Sequence, residues 1–286
     1  MTTVSKDDGI SPQDLPLFIN DEFDFEDSSI LDIAAMVESE ITGVDSKEFK
    51  DALRLQHLVI KSKLSGFAVA DKDKLQRLVA CLYQEQGFQG DWKAFFKVKN
   101  ALVSKVLSRR KGIPISLGIL LLDFLKVCDF DAQGICFPSG FIISVHLADE
   151  TIYLDPFTGE FPTKAQLELK VRGQLGNHAR LTPDMLEPDN NKTIIMRLIN
   201  VIKASYIQIE SLELALVCCD ILLRIDPDDA YEIRDRGFLF QQLDCFNLAR
   251  TDFEFFIDQY PKDPIVGLLK KQIENMSTNT TSQIIH

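Results

Sequence analysis

Four histidines and six cysteines are the side chains from which covalent or metal chemistry would have to be assembled in this chain. The cysteines (Cys81, Cys128, Cys136, Cys218, Cys219 and Cys245) show no CxxC spacing, so neither a zinc site nor a dithiol pair is written into the sequence. Cys128 and Cys136 have no histidine at the spacing that a thiol nucleophile and its base need, and read as core or partly buried thiols. His57 falls inside a helical pattern and reads as a satisfied or surface histidine. His178 lies near Arg172 and Arg180, which would suit an anion, against the plainer reading of a solvated loop. Arg109-Arg110-Lys111 would suit a phosphate, against the plainer reading of helix-end charge. Asp226 to Asp229 lacks EF-hand spacing and reads as a turn between repeats. Neither GxxxxGK[ST] nor a GxGxxG after a strand occurs, so nucleotide binding has no support and no cofactor is implied.

Helices and short strands must position these residues. Ser28 and Ser29 offer an N-cap to a helix carrying Ile30, Ile33, Ala34, Val37 and Ile41, and further helices read over about 48–63 and 72–85. From Asn100 to Lys111 the apolar residues face one way, cations close the last turn and Gly112 follows, the ordinary end of a helix. After Pro114 a helix from about Ser116 to Val127 is apolar nearly all round and should be central. The pattern then turns to strands at Gly134–Phe137, Phe141–Leu147 and Thr151–Leu154, with Asp149-Glu150 as the hairpin turn. A connecting segment with Pro162, Gly173, Gly176, Pro183 and Pro188 leads to a linker at Asp189-Asn190-Asn191.

From Thr193 on, everything reads as helix, and a repeat appears. Pro227 and Pro261 stand 34 residues apart, and at that offset Leu214 matches Leu248, Ala215 matches Ala249 and Asp229 matches Asp263. Tyr206, Ala215 and Pro227 in one copy, and Gly237, Phe240, Ala249, Phe253 and Pro261 in the next, fall where a tetratricopeptide hairpin places its packing residues. The small residue lets paired helices approach, the aromatic fills the gap and proline ends the second helix. Two hairpins are fewer than such stacks need to stand alone, so these should lean on the domain before them.

The segments NALVSKVLSRRKGIPISLGILLLDFL, GICFPSGFIISV and YLDPFTGE, with DPDDAYEIRDRG and QLDCFNLARTDF further on, resemble a bacterial SirB-type family. In that family a transglutaminase-like core is fused to tetratricopeptide repeats. The resemblance covers about residues 28–275. It implies an α+β fold, mostly helical, whose transglutaminase-like (papain-like) core holds a small antiparallel sheet. Active relatives of that core use a Cys-His-Asp triad, the cysteine starting the buried helix. Residues 113–118 contain no cysteine, and Ser116 is the one nucleophilic side chain there, more simply an N-cap. Where the histidine should follow Phe137-Pro138 the chain reads Ser139-Gly140-Phe141. The aspartate alone is kept, as Asp155. A substitute deserves weighing. With the turn at Asp149-Glu150, Ser144, His146, Tyr153 and Asp155 share one face of the hairpin, with His146 and Asp155 diagonal neighbours roughly 7–8 Å apart. A rebuilt Ser116–His146–Asp155 site is then the catalytic alternative to a half-exposed strand histidine.

Charge and composition bound the rest. The chain has 286 residues and a net charge of -12. Residues 1–50 carry 3 basic and 13 acidic side chains, residues 51–200 carry 20 and 16, and residues 201–286 carry 8 and 14. Acidic ends around a nearly neutral middle argue against nucleic acid, which needs a basic face. The N-terminus has no signal-peptide stretch, and the apolar run Ile113–Val127 is too short and too charged for a bilayer. The expected organisation is a flexible acidic leader over 1–27, a transglutaminase-like domain over 28–189, helical repeats over 193–276 and a disordered tail over 277–286. The expected role is non-catalytic: a cytoplasmic protein that binds another protein as an adaptor or as a subunit of an assembly, with no metal, no cofactor and no membrane association. A hydrolase or acyl-transferase is the alternative. Oligomeric state and partner identity are left open by the residues.

Overall fold

The computed structural model describes Ile19 and residues 23–283. Most of the expected leader, and the last three residues of the expected tail, lie outside the described residues. Ile19 and Phe25 are buried, however, and the Asn191 amide donates to the Phe25 carbonyl at 2.8 Å, so the leader's end is part of the core. Two phenylalanines among acidic residues, Phe23 and Phe25, make that burial favourable.

Three helices follow: α1 (Ile30–Thr42), α2 (Lys47–Lys63) and α3 (Lys72–Val79), the last running on through a wide π turn, Ala80–Glu85. The α1 stripe Leu31, Ile33, Ala34, Val37 and Ile41 is buried, as its 3.6-residue spacing requires. A minimal strand β1 (Gln89–Gly90) pairs in parallel with β2 (Lys111–Gly112). Between them lie an aromatic loop, a 3₁₀ turn Val98–Asn100 and α4 (Val103–Arg109). The start of α4 is capped from outside: Glu38 of α1 accepts from the Ser104 amide at 3.0 Å and from its hydroxyl. The helix expected over 100–111 is therefore shorter at both ends. Its C-cap is Arg110 in the left-handed region (φ 60°), not Gly112. Gly112 serves close packing instead, since a Cβ there would meet Ser116 Oγ and Val106 at 2.9 Å.

Helix α5 (Pro114–Val127) is buried on all sides and forms the spine of the domain. The sheet that covers it has the order β3 (Asp131–Ile135), β4 (Ile142–His146) and β5 (Thr151–Leu154), all antiparallel. The first strand begins three residues before its expected start. The hairpin turn is Ala148-Asp149 instead of Asp149-Glu150, because Leu147 donates to the Glu150 carbonyl at 2.9 Å. A helix the sequence reading lacks, α6 (Lys164–Leu175), replaces the first part of the connecting segment. Thr163 and Gln166 form a capping box at its start, and Leu167 and Val171 are buried beside Ile135, Phe137 and Ile142. The expected linker is a fixed corner. Asp189 accepts from the Cys136 amide at 2.7 Å and donates to the Gly134 carbonyl at 2.9 Å, and Asn190 caps the next helix.

Five helices complete the chain: α7 (Asn191–Gln208), α8 (Leu212–Ile225), α9 (Ala230–Gln242), α10 (Phe246–Gln259) and α11 (Val266–Gln283). The α11 backbone extends into the stretch expected as a disordered tail, since no Gly or Pro follows Gly267 to stop it. One hydrophobic core runs without a break from α1 through α5 to α7 and α8, ending at Ile225 with Leu239 added from α9. A second, smaller cluster joins α9, α10 and α11 through Ala230, Ala249, Phe253, Phe256, Leu269 and Met276. The fold is thus α+β and mostly helical, a small antiparallel sheet within a helical body followed by helical hairpins.

Candidate functional site

The start of α5, the loop after β3 and the end of β5 meet at one cleft of about 310 Å³. Pro114, Ser139, Gly140 and Asp155 all line it. Gly140 lies so close to the start of α5 that a Cβ there would stand 3.5 Å from the Pro114 ring. The positions at which the family pattern would place nucleophile, base and carboxylate do converge in space. Of those three groups the lining of this cleft includes the carboxylate, with no cysteine or histidine among its described residues.

Asp155 is 5% exposed. Its Oδ1 accepts from the Phe157 amide at 2.8 Å, and its Oδ2 forms an ion pair with Lys170 of α6. The carboxylate therefore faces an ammonium rather than an imidazole. Ser116 is buried behind the cleft wall; its hydroxyl donates to the Asn100 carbonyl at 2.6 Å and accepts from the Ile113 amide at 3.2 Å. His146 sits at the far end of the hairpin. Its Nδ1 is 3.1 Å from Thr151 Oγ1, and its Nε2 is 3.2 Å from Gln133 Oε1. Ser116, His146 and Asp155 each have their partners elsewhere, and no hydrogen bond joins any two of them. The shifted turn separates His146 from Asp155. His146 pairs with Thr151, Ser144 pairs with Tyr153, and Asp155 falls beyond that pair instead of diagonal to His146.

The cleft wall is aromatic. Trp92 and Phe95 approach Phe157 edge-on, with ring centroids 4.3 and 6.0 Å apart. Gly90 makes room for Phe157, whose ring would be 2.4 Å from a Cβ at that position. Asn100 holds the aromatic loop from beneath. Its Nδ2 donates to Asp91 Oδ2 at 3.1 Å and to the Ala94 carbonyl at 2.5 Å, while its Oδ1 accepts from Arg109 at 2.7 Å. Sequence reasoning missed Trp92, Asn100 and Lys170. An isolated buried amide leaves no periodic signal, and Lys170 lies on the helix read as a connection.

His178 apart, the other candidates each have partners or burial in the structure. Arg172 and Arg180 both pair with Glu168 beside an exposed His178. Arg109 is bound to Asp91 and Asn100, while Arg110 lies over the Phe88 ring, 5.1 Å from its centroid. His57 Nε2 is 2.5 Å from Asp123 Oδ2, and the ring stands edge-on to Phe124. Burial pushes the thiols of Cys128 and Cys136 up to about 11, opposite to the shift a nucleophile needs. Asp229 caps α9 through the amides of Tyr231 and Glu232. Among the described residues no group of three His, Cys, Asp or Glu side chains could hold a metal ion, and no helix is long and apolar enough to cross a membrane.

In the helical hairpins Tyr206 and Ala215 are buried in the main core, and Pro227 and Pro261 are exposed just after α8 and α10. A Cβ on Gly237 would lie 2.7 Å from the Phe253 ring; Ala249 is buried beside it, and Phe240 packs on the same cluster.

A transglutaminase-like superfamily model matches residues 31–200, and a tetratricopeptide repeat model matches residues 202–274. A UPF0162 protein of Vibrio cholerae is 42% identical over 208 residues, which is 72% of this chain and 77% of that protein. UPF0162 protein YchA of Escherichia coli is 33% identical over 234 residues, 81% of this chain and 86% of the relative. Protein SirB1 of Salmonella typhimurium is 31% identical over 260 residues, 90% of this chain and 96% of the relative.

Proposed function

The chain belongs to the SirB1 and UPF0162 family, a transglutaminase-like core with tetratricopeptide repeats, and on that premise we propose that it binds another protein and catalyses no acyl transfer. The observation that carries this reading is the pairing of Asp155 with Lys170 in a cleft whose lining, among the described residues, includes Pro114, Ser139 and Gly140 and no cysteine or histidine. A covalent acyl mechanism needs a nucleophile whose proton a neighbouring base can take. Among the described residues, the hydroxyls at this cleft are those of Ser139 and Thr158, no histidine lines it, and its one carboxylate is paired with Lys170. The partner surface extends from the cleft to the helical hairpins, the first of which, α7 and α8, shares a core with it. The buried free thiols Cys81, Cys128, Cys218 and Cys219 suit a reducing compartment, and we place the protein in the bacterial cytoplasm.

The test uses the full chain in two assays. Turnover of activated esters and amides should not exceed that of the Ser116→Ala and Asp155→Asn variants. Turnover that either substitution removes from a still-folded protein would restore the hydrolase or acyl-transferase alternative. In the second assay the tagged chain should retain a defined bacterial protein, and excess untagged chain should compete it away. Finding no such complex would remove the interaction reading.

A further inference from the structure

We propose that the mouth of the Asp155 cleft, at Trp92, docks an acidic segment of a partner protein that inserts one bulky apolar side chain; this deepens, and rests on, the interaction reading above. Trp92 is 74% exposed, Phe96 66% and Phe95 37%, within one short loop. Rings that protrude together in a folded protein mark a surface awaiting a partner. Trp92 and Phe95 are also tethered edge-on to Phe157, so they flank a concavity instead of projecting freely.

The charge around these rings sets the chemistry of the occupant. From Trp92 to Leu122 the sequence has no Asp or Glu, while it holds Lys93, Lys97, Lys99, Lys105, Arg109, Arg110 and Lys111. Asp91, at the loop's edge, is turned inward to Arg109 and Asn100. Lys93, Lys97 and Lys99 are exposed, and none has an acidic partner among the ion pairs of the described residues. This local excess of cations stands in a chain whose net charge is -12. A large polyanion would meet that overall charge as well as the loop, and both an anionic bilayer and a single-stranded RNA are disfavoured for that reason. A short acidic segment feels chiefly the charges within a Debye length of about 8 Å. The concave aromatic wall takes its apolar side chain, and the lysines take its carboxylates.

Trp92 is the one tryptophan of the chain, so its emission reports on the site alone. The full chain would be titrated with a synthetic peptide in which aspartates and glutamates flank a single phenylalanine. A saturable blue shift of Trp92 emission is expected, weakening as salt is raised. By anisotropy of the labelled peptide, Trp92→Ala and the Lys97→Glu/Lys99→Glu pair should each weaken binding by about tenfold or more. Serine in place of the peptide's phenylalanine should do the same. The substituted side chains are exposed, and unchanged thermal unfolding would exclude a folding defect. An unchanged emission, equal binding of a lysine-flanked peptide, or a shift produced only by phosphatidylglycerol vesicles or oligouridine would overturn the proposal. If the emission stays unchanged while the full chain still retains its bacterial protein, this inference fails and the interaction reading stands.

Discussion

A buried primary amide has two donors and an acceptor to satisfy, and Asn100 satisfies all of them on the loop and helix that frame the cleft. Its main-chain carbonyl adds the Ile113 amide at 3.1 Å and the Ser116 hydroxyl at 2.6 Å, so one residue ties the aromatic loop, α4 and the start of α5 together. Asn100→Ala leaves a half-buried Arg109–Asp91 corner short of partners and should lower stability by about 2–4 kcal/mol, read by urea unfolding. Loss below about 0.5 kcal/mol would mean that the loop is held by its rings instead. The thiols give a second expectation. With Cys128 and Cys136 raised from 9.0 to about 11 by burial, the folded chain keeps protons that the unfolded chain releases. Stability is then complete below about pH 9 and is lost as pH climbs toward 11. Melting temperature across that window should fall, and Cys136→Ser should flatten the slope. At neutral pH a thiol reagent should label the exposed Cys245 first.

At the scale of elements, close packing between helices decides more than propensity does. Gly237→Ala would ordinarily favour a helix by about 1 kcal/mol. Here the added methyl meets Phe253 at 2.7 Å, and the net effect should be destabilising by about 1–3 kcal/mol. Recovery in a Gly237→Ala/Phe253→Leu double variant would identify the ring as the obstacle. Lys203 of α7 and Glu232 of α9 form a buried pair at 2.5 Å that joins the main core to the second hairpin. Lys203→Met alone should cost about 3–5 kcal/mol, whereas Lys203→Met with Glu232→Leu should be near neutral, compared by chemical denaturation. The periodic elements were legible in the sequence: the α1 stripe, the all-apolar α5 and the 34-residue echo in the hairpins each advertise a buried face. What was hidden is set by single contacts. Helix α6 contains Gly173 and has two buried anchors, Leu167 and Val171, too few for a stripe. The β4–β5 turn moved by one residue on a Leu147–Glu150 hydrogen bond, and that alone separates His146 from Asp155. The family pattern pointed to the start of α5, the Ser139-Gly140 loop and Asp155; the cleft they share, its aromatic wall and the Lys170 partner needed the fold.

For the whole molecule, the boundary that composition suggests near Asp189 is not a boundary of packing. Helices α7 and α8 bury Ile194, Ile195, Leu198, Ile199, Ile202, Cys218 and Ile221 in the same core as α1 and α5. Arg224 of α8 also pairs with Glu40 of α1. A chain ending at Asn190 should fail to fold, whereas one ending at Asp228 should melt cooperatively at a lower temperature, as followed by circular dichroism. Cooperative folding of the shorter chain would show two independent units. The continuous core also constrains how the protein is made. Helix α5 leaves the ribosome after α1, α2 and α4, which pack on it, but before its sheet and before α7 and α8, which complete the core. At about 5–20 residues per second, the roughly one hundred residues from α5 to the end of α8 take on the order of 5–20 s. For that interval the nascent chain presents a sticky, unfinished interior, a natural client for a chaperone at the exit tunnel.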